Sequence, residues 1–286
     1  MPTLLDEREN LVSTQWLEQR LDAPDIVILD ASYYLPDAGR NGREEYDEQR
    51  IPGAVFFDID DITDDTSSLP HTMPPPEKFS SRMRKMGIGD GMRVVVYDGA
   101  GLFSAARVWW MFRTFGHTDV AILDGGFPKW LAEDRPVEDG PAMQRQPRHM
   151  SARYSASSVR DKKDVLNAIN SGSQQIADAR SPGRFSAREP EPRAGMRGGH
   201  MPGARNVHYK TLLNEDGTVK STEALAKVFD DAGIDVSKPV ITSCGSGVTA
   251  AILTLGLTLV GHKANSLYDG SWAEWGSDPD TPIETD

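Results

Sequence analysis

The chain carries the same passage twice. Its first half runs "IVILDAS", "IPGAVFFD" and "RVVVYDGAGLFSAARVWWMFRTFGHTDVAILDGGFPKW". Its second half runs "QQIADAR", "MPGARNVHY" and "PVITSCGSGVTAAILTLGLTLVGHKANSLYDGSWAEW", in the same order. Asp30 falls on Asp178, Pro52-Gly53-Ala54 on Pro202-Gly203-Ala204, Gly116-His117 on Gly261-His262, Asp124-Gly125 on Asp269-Gly270, and Trp130 on Trp275. Solenoid repeats have periods of about 20–50 residues, whereas this offset stays near 145–150, so the repeating unit is a whole domain. Any fold for this chain must therefore be one that 286 residues can build twice.

Within each copy, short apolar runs alternate with helical patterns. "DIVILD", "RVVVYD" and "VAILDG" are rich in Val and Ile and stop at Asp or Gly; "PVITSC" and "ANSLYDG" take the same places in the second copy. Continuous apolar strands separated by helices indicate a mainly parallel sheet with helices on both faces. "SAARVWWMFRTFG" and "TAAILTLGLTLVG" are predicted helices that end at glycine, with His117 and His262 expected at the C-terminal caps. The proline-, glycine- and serine-containing stretch around 141–156 is predicted to link a domain over 1–140 to one over 157–286. The expected fold class is α/β.

The net charge of −12 argues against nucleic acid or an anionic membrane as a partner. No apolar run approaches the roughly 18 residues needed to span a bilayer. The opening "MPTLLDEREN" lacks a basic flank followed by an apolar stretch, so no secretory signal is expected. One cysteine cannot form an internal disulfide, which fits a reducing cytoplasm. No His and Cys pair has metal-ligand spacing, and neither metal nor cofactor is expected.

That cysteine, Cys244, lies in "SCGSGVTAA", between a predicted strand and a predicted helix. The sister loop "YDGAGLFSAA" holds Asp98 in its place, so the fold itself does not demand a thiol there. Ligands of open α/β sheets bind beyond the carboxyl ends of the strands. The amides that open a helix lack intrahelical partners and favour an anion, here a thiolate. Gly245 and Gly247 let the loop wrap closely. A second local feature is a run of cations in an acidic chain. "RSPGRFSAREPEPRAGMRGGHMPGAR" supplies Arg180, Arg184, Arg188, Arg193, Arg197 and Arg205. Arginine holds a carboxylate through two parallel hydrogen bonds, which suits a small anionic substrate.

The loop "CGSGVTA", together with "GREEYDEQRIPGAVFFDID", "EPEPRAGMRGGHMPGARNV" and "YDGSWAEW", resembles the rhodanese superfamily over nearly the whole chain, and its 3-mercaptopyruvate branch in particular. The resemblance implies two tandem rhodanese-like domains, the second catalytic. It implies that Cys244 takes sulfur from a small anionic donor, becomes a persulfide and passes the outer sulfur to a thiol acceptor, such as a thioredoxin-type protein or small thiol, or to cyanide. Gly245, Gly247, Val248 and Thr249 would line the anion loop. Arg184 and Arg193 would hold the donor's carboxylate and carbonyl, leaving Arg180, Arg188, Arg197 and Arg205 as solvated charges pairing with Glu189 and Glu191. Asp60, His71 and Ser246 map onto a proton relay, and a monomer is expected.

Thiosulfate is the alternative donor. It would favour basic side chains inside the loop, where this chain has Gly245 and Ser246. A cysteine phosphatase would place arginine six residues after the cysteine, at the position of Ala250. A non-enzymatic binding module would suit the first copy with its Asp98, and a redox-sensing thiol would have no resolving partner.

Overall fold

The Val- and Ile-rich runs form parallel strands in both copies. The computed structural model describes residues 10–285, which divide into two units. Of the described residues, the first unit gathers 10–62 with 75–154 and 215–218; the second gathers 63–74, 155–214 and 219–285. The first unit contains β1 (Leu11–Val12), α1 (Thr14–Glu18), β2 (Ile26–Asp30), α2 (Gly42–Glu48), β3 (Val55–Phe56), α3 (Pro76–Lys85), β4 (Arg93–Tyr97), α4 (Ala105–Thr114), β5 (Val120–Leu123) and α5 (Gly126–Ala132). The second contains β6 (Val159–Arg160), α6 (Lys162–Ser171), β7 (Gln175–Asp178), α7 (Pro182–Phe185), β8 (Arg205–Asn206), α8 (Thr222–Asp231), β9 (Val240–Ser243), α9 (Ala250–Leu259), β10 (Asn265–Tyr268) and α10 (Ser271–Trp275).

The sheets have orders β1-β5-β4-β2-β3 and β6-β10-β9-β7-β8, which are the same order. Every pairing in them is parallel. Successive residues of β2, β5 and β9 are all buried. Since neighbouring side chains point to opposite faces, both faces of these sheets are covered. Trp130 belongs to the first core and Trp272 and Trp275 to the second, all at 0% exposure. β4 and β9 are the middle strands, so the loops after them, carrying Asp98 and Cys244, sit at matching places.

α4 and α9 end at Gly116 and Gly261, both with positive φ. The amides of His117 and His262 reach back to the carbonyls of Phe112 and Leu257 at 2.9 Å, so the backbone makes these caps. The imidazole of His262 instead meets the Val236 carbonyl at 2.7 Å. The stretch 141–155 carries no helix or strand. Its latter part is tied to the first unit: the amides of Asp90, Arg148 and Arg153 pair with the carbonyls of His149, Arg84 and Phe115, respectively.

Asp30 and Asp178 end corresponding strands, but their environments differ. Asp178 is paired with Arg180, two residues on. Asp30 has Ser32 in that position, whose amide donates to it at 2.8 Å. Burial pushes the Asp30 carboxyl up to about 6, against the lowering effect of the Ser32 bonds. The folded state thus keeps a proton on Asp30 that the unfolded chain releases near pH 4, and stability falls as pH rises through this window. The loss between pH 4 and pH 7 is about 2–3 kcal/mol for this side chain. Asp30→Asn should remove that slope and be more stable than the parent at pH 7. Urea titrations at pH 4 and pH 7 read the difference, and parallel pH dependence in the two proteins would refute it.

Candidate active site

Cys244 follows directly from β9, and α9 begins six residues later. The thiol is 2% exposed. The carbonyls of Cys244 and Gly245 accept from the amides of Trp272 and Ala273 at 2.9 and 2.8 Å, and the Cys244 amide donates to Ser271 Oγ at 3.3 Å. The first two carbonyls of the loop are therefore bound to α10. Among the described residues, the amides of Gly245, Ser246, Val248 and Thr249 donate to no protein acceptor. Gly247 has φ 78°, in the left-handed region where glycine carries no Cβ penalty. A Cβ on Gly245 would come within 2.8 Å of Arg184 Nη2, so glycine there lets the guanidinium approach the loop.

The sister loop shows what such amides donate to. Asp98 is 1% exposed, and its carboxylate accepts from Ala100 N at 2.9 Å, Phe103 N at 2.7 Å and Ala105 N at 2.8 Å. A carboxyl side chain occupies the anion-binding position of its own loop, accepting from the amides at a helix start. Burial nevertheless raises the Asp98 pKa, opposed by those bonds.

His71 belongs to the second unit, within segment 63–74. It is 4% exposed, and its Nδ1 lies 3.1 Å from Ser246 Oγ. Its φ of 59° is left-handed, unusual for a residue with a Cβ and a recurrent property of functional positions. The segment is held by the Met73 amide, which donates to Asp269 Oδ2 at 2.7 Å. Asp60 is exposed on the first unit, in the loop after β3, where its amide donates to Asp58 Oδ1 at 3.0 Å. The second unit thus brings together Cys244, Ser246 and His71, while Asp60 belongs to the first.

The arginine segment departs from a solvated loop. Arg180 has a fully buried side chain, chelates Asp178 through Nε and Nη2, bonds Glu191 through Nη1 at 2.7 Å, and lies 4.2 Å over the Trp272 ring. Glu191, expected as a surface partner, has a side chain only 1% exposed, and its other oxygen holds Arg184 Nη2 at 2.5 Å. Arg197 ties down the chain end through the carbonyls of Trp275, Gly276 and Thr281. The solvated-charge expectation thus fails for Arg180, which is fully buried against Asp178 and Glu191, and for Arg197, whose guanidinium is committed to backbone carbonyls. Arg193 is half-buried and, among the described residues, makes no hydrogen bond or ion pair.

A family model described as rhodanese-like domain matches residues 13–133 and again 161–278. The chain belongs to the rhodanese-like family. A 3-mercaptopyruvate sulfurtransferase of Escherichia coli is 44% identical, over 96% of this chain and 97% of that protein. A thiosulfate sulfurtransferase of Rattus norvegicus is 41% identical, over 93% and 91% respectively. The crystal structure of SseA from Escherichia coli, a 3-mercaptopyruvate sulfotransferase with the rhodanese fold, superposes with a TM-score of 0.85 at 42% identity, covering 92% of this chain and 98% of that one.

In this rhodanese-like protein, three groups not assigned to the site from the sequence lie at it. Glu191, expected only as a surface partner, binds Arg184, Asp269 holds the histidine segment, and Ser271 holds the Cys244 amide. One of them differs between the two copies in a way that marks it. Ser271 stands where the first copy has Gly126. Among the described residues, no helix is long and apolar enough to cross a membrane, and no three His, Cys, Asp or Glu side chains cluster to hold a metal.

Proposed function

We infer that the protein is a sulfurtransferase whose Cys244 takes sulfur from 3-mercaptopyruvate. The observation that carries this reading is the contrast between the loops: Asp98 accepts from the amides of one, while among the described residues the amides of Gly245, Ser246, Val248 and Thr249 in the other donate to no side chain. The Cys244 thiolate attacks the donor's sulfur, the carbon–sulfur bond breaks, and its electron pair leaves on the pyruvate enolate. Protonation of that enolate gives pyruvate. An acceptor thiolate, or cyanide, then attacks the outer sulfur of the persulfide and restores the Cys244 thiolate, so one transfer is split into two steps. The loop amides stabilise the anionic sulfur in both steps, as an oxyanion hole stabilises oxygen. The amides of Gly245, Gly247, Val248 and Thr249 fill this role in the proposal.

His71 and Ser246 are the proposed path for the enolate's proton, supported by their 3.1 Å separation, with Asp60 as the proposed outer member. Arg193, with its uncommitted guanidinium, is the proposed clamp for the carboxylate. Arg184, close to Gly245 but half-neutralised by Glu191, is proposed to hold the carbonyl. The chain is proposed to act as a cytoplasmic monomer with a thioredoxin-type protein or a small thiol as acceptor.

Thiosulfate remains the competing donor because a thiosulfate sulfurtransferase is also closely similar. It carries two negative charges and no carboxylate, and the loop supplies no side-chain cation. Steady-state assays with each donor, using a thiol and cyanide as acceptors, should show a higher kcat/KM for mercaptopyruvate. Arg193→Ala should raise the KM for mercaptopyruvate by about tenfold to a hundredfold, the size of one lost charge-assisted contact. Equal donor efficiencies in the parent, or an unchanged KM in the variant, would defeat the donor assignment or the clamp, respectively.

A further inference from the structure

The turn after β10 presents polar atoms to the cysteine loop that the sulfur-transfer reading leaves without a role. Ser271 is fully buried and has φ 48°, a left-handed conformation that side chains with a Cβ disfavour. Its Oγ donates to the Tyr268 carbonyl at 2.8 Å and accepts from the Cys244 amide at 3.3 Å. The next two amides, of Trp272 and Ala273, take the carbonyls of Cys244 and Gly245. Three consecutive residues thus fix three consecutive peptide groups, the one that enters Cys244 and the two that follow it.

The first copy provides the control. There Phe127 N donates to Asp98 O at 3.0 Å, the counterpart of the Trp272 bond to Cys244. The residue before Phe127 is Gly126, with φ 57°. The backbone path is the same, and glycine follows it without strain. Serine in the second copy accepts the unfavourable φ and adds one thing, a hydroxyl on the nucleophile's amide. The copy with a thiol has the hydroxyl; the copy with a carboxylate lacks it.

We propose that Ser271 is a positioning residue for Cys244: its hydroxyl holds the amide of the peptide that enters Cys244 and so fixes the backbone from which the reacting sulfur projects. The carbonyl of that peptide, from Ser243, is held on its other side by the Ala179 amide at 2.8 Å, so the hydroxyl completes the restraint of the peptide that orients the sulfur for both transfer steps. Two residues earlier, Asp269 anchors Met73 and, through it, the segment bearing His71. One short turn therefore sets both the thiol and the histidine.

The proposal rests on Cys244 being the sulfur-carrying nucleophile, and the test separates the two. Ser271→Gly and Ser271→Ala are compared in the full chain with mercaptopyruvate as donor. Both should lose kcat on the order of tenfold, with KM within about twofold, because one hydrogen bond that serves the transition state is gone. The glycine variant should melt at or above the parent, since the strain is relieved. The alanine variant, which keeps the strain, should melt a few degrees below the glycine variant, at about 2–4 °C per kcal/mol for a domain of this size. A glycine variant with kcat within about twofold of the parent would overturn the proposal whatever the alanine variant does, since one net hydrogen bond corresponds to about a tenfold effect. Turnover by Cys244→Ser would remove the underlying reading and this proposal with it.

Discussion

Cys244→Ser should lose sulfur transfer by a factor on the order of 10⁴–10⁶, the scale seen when a covalent nucleophile is removed from an intact site. The substitution changes one buried atom and leaves the loop's bonds to α10 in place, because those bonds involve only backbone groups and Ser271. Stability should therefore barely change, which separates lost chemistry from lost fold. A serine hydroxyl cannot take up sulfur from the donor, since it is neither ionised at neutral pH nor soft enough to attack sulfur. Donor treatment of the parent without acceptor should add about 32 Da, one persulfide sulfur, at Cys244 and nowhere else. The serine variant should add nothing. Absence of the adduct in the parent with either donor, or residual turnover in the variant, would remove the persulfide mechanism.

Glu191→Ala should cost about 3–5 kcal/mol of stability, the usual penalty for deleting one partner of a buried ion pair. Its carboxylate is 1% exposed and bonds Arg180 and Arg184 at once. Removing it strands part of the positive charge of Arg180, whose side chain is fully buried and whose remaining partner is Asp178. The melting temperature should fall by roughly 6–20 °C, given about 2–4 °C per kcal/mol for a domain of this size. Urea unfolding followed by tryptophan fluorescence gives the same quantity independently. A loss below about 1 kcal/mol would mean that desolvation of the carboxylate already cancels its attraction to the two guanidinium groups.

The fold was legible because duplication repeats its punctuation. The β2, β4, β5, β9 and β10 strands follow from apolar runs, since each is covered on both sides and has little room for polar residues. The edge strands β1, β3, β6 and β8 are two residues each and carry no period that a pattern can reveal. The cysteine loop was readable from one substitution between copies, Asp98 to Cys244. The arginine segment was not, because charge in a sequence gives no depth. Arg180 and Glu191 look like surface residues until Trp272 is found beneath one and both arginines around the other. Ser271 could have been found by the same comparison that exposed the cysteine, since Gly126 is its counterpart.

Asp98 gives the two halves of the chain different dependence on their surroundings. In the first loop the carboxyl that accepts from the amides is covalently attached, so its effective concentration never varies and no solute is needed to complete the structure. In the second loop, under the proposed persulfide cycle, the anionic occupant would come and go with each turnover. The first copy would then keep its loop filled while the second cycled between thiolate and persulfide, and the chain would carry one sulfur at a time.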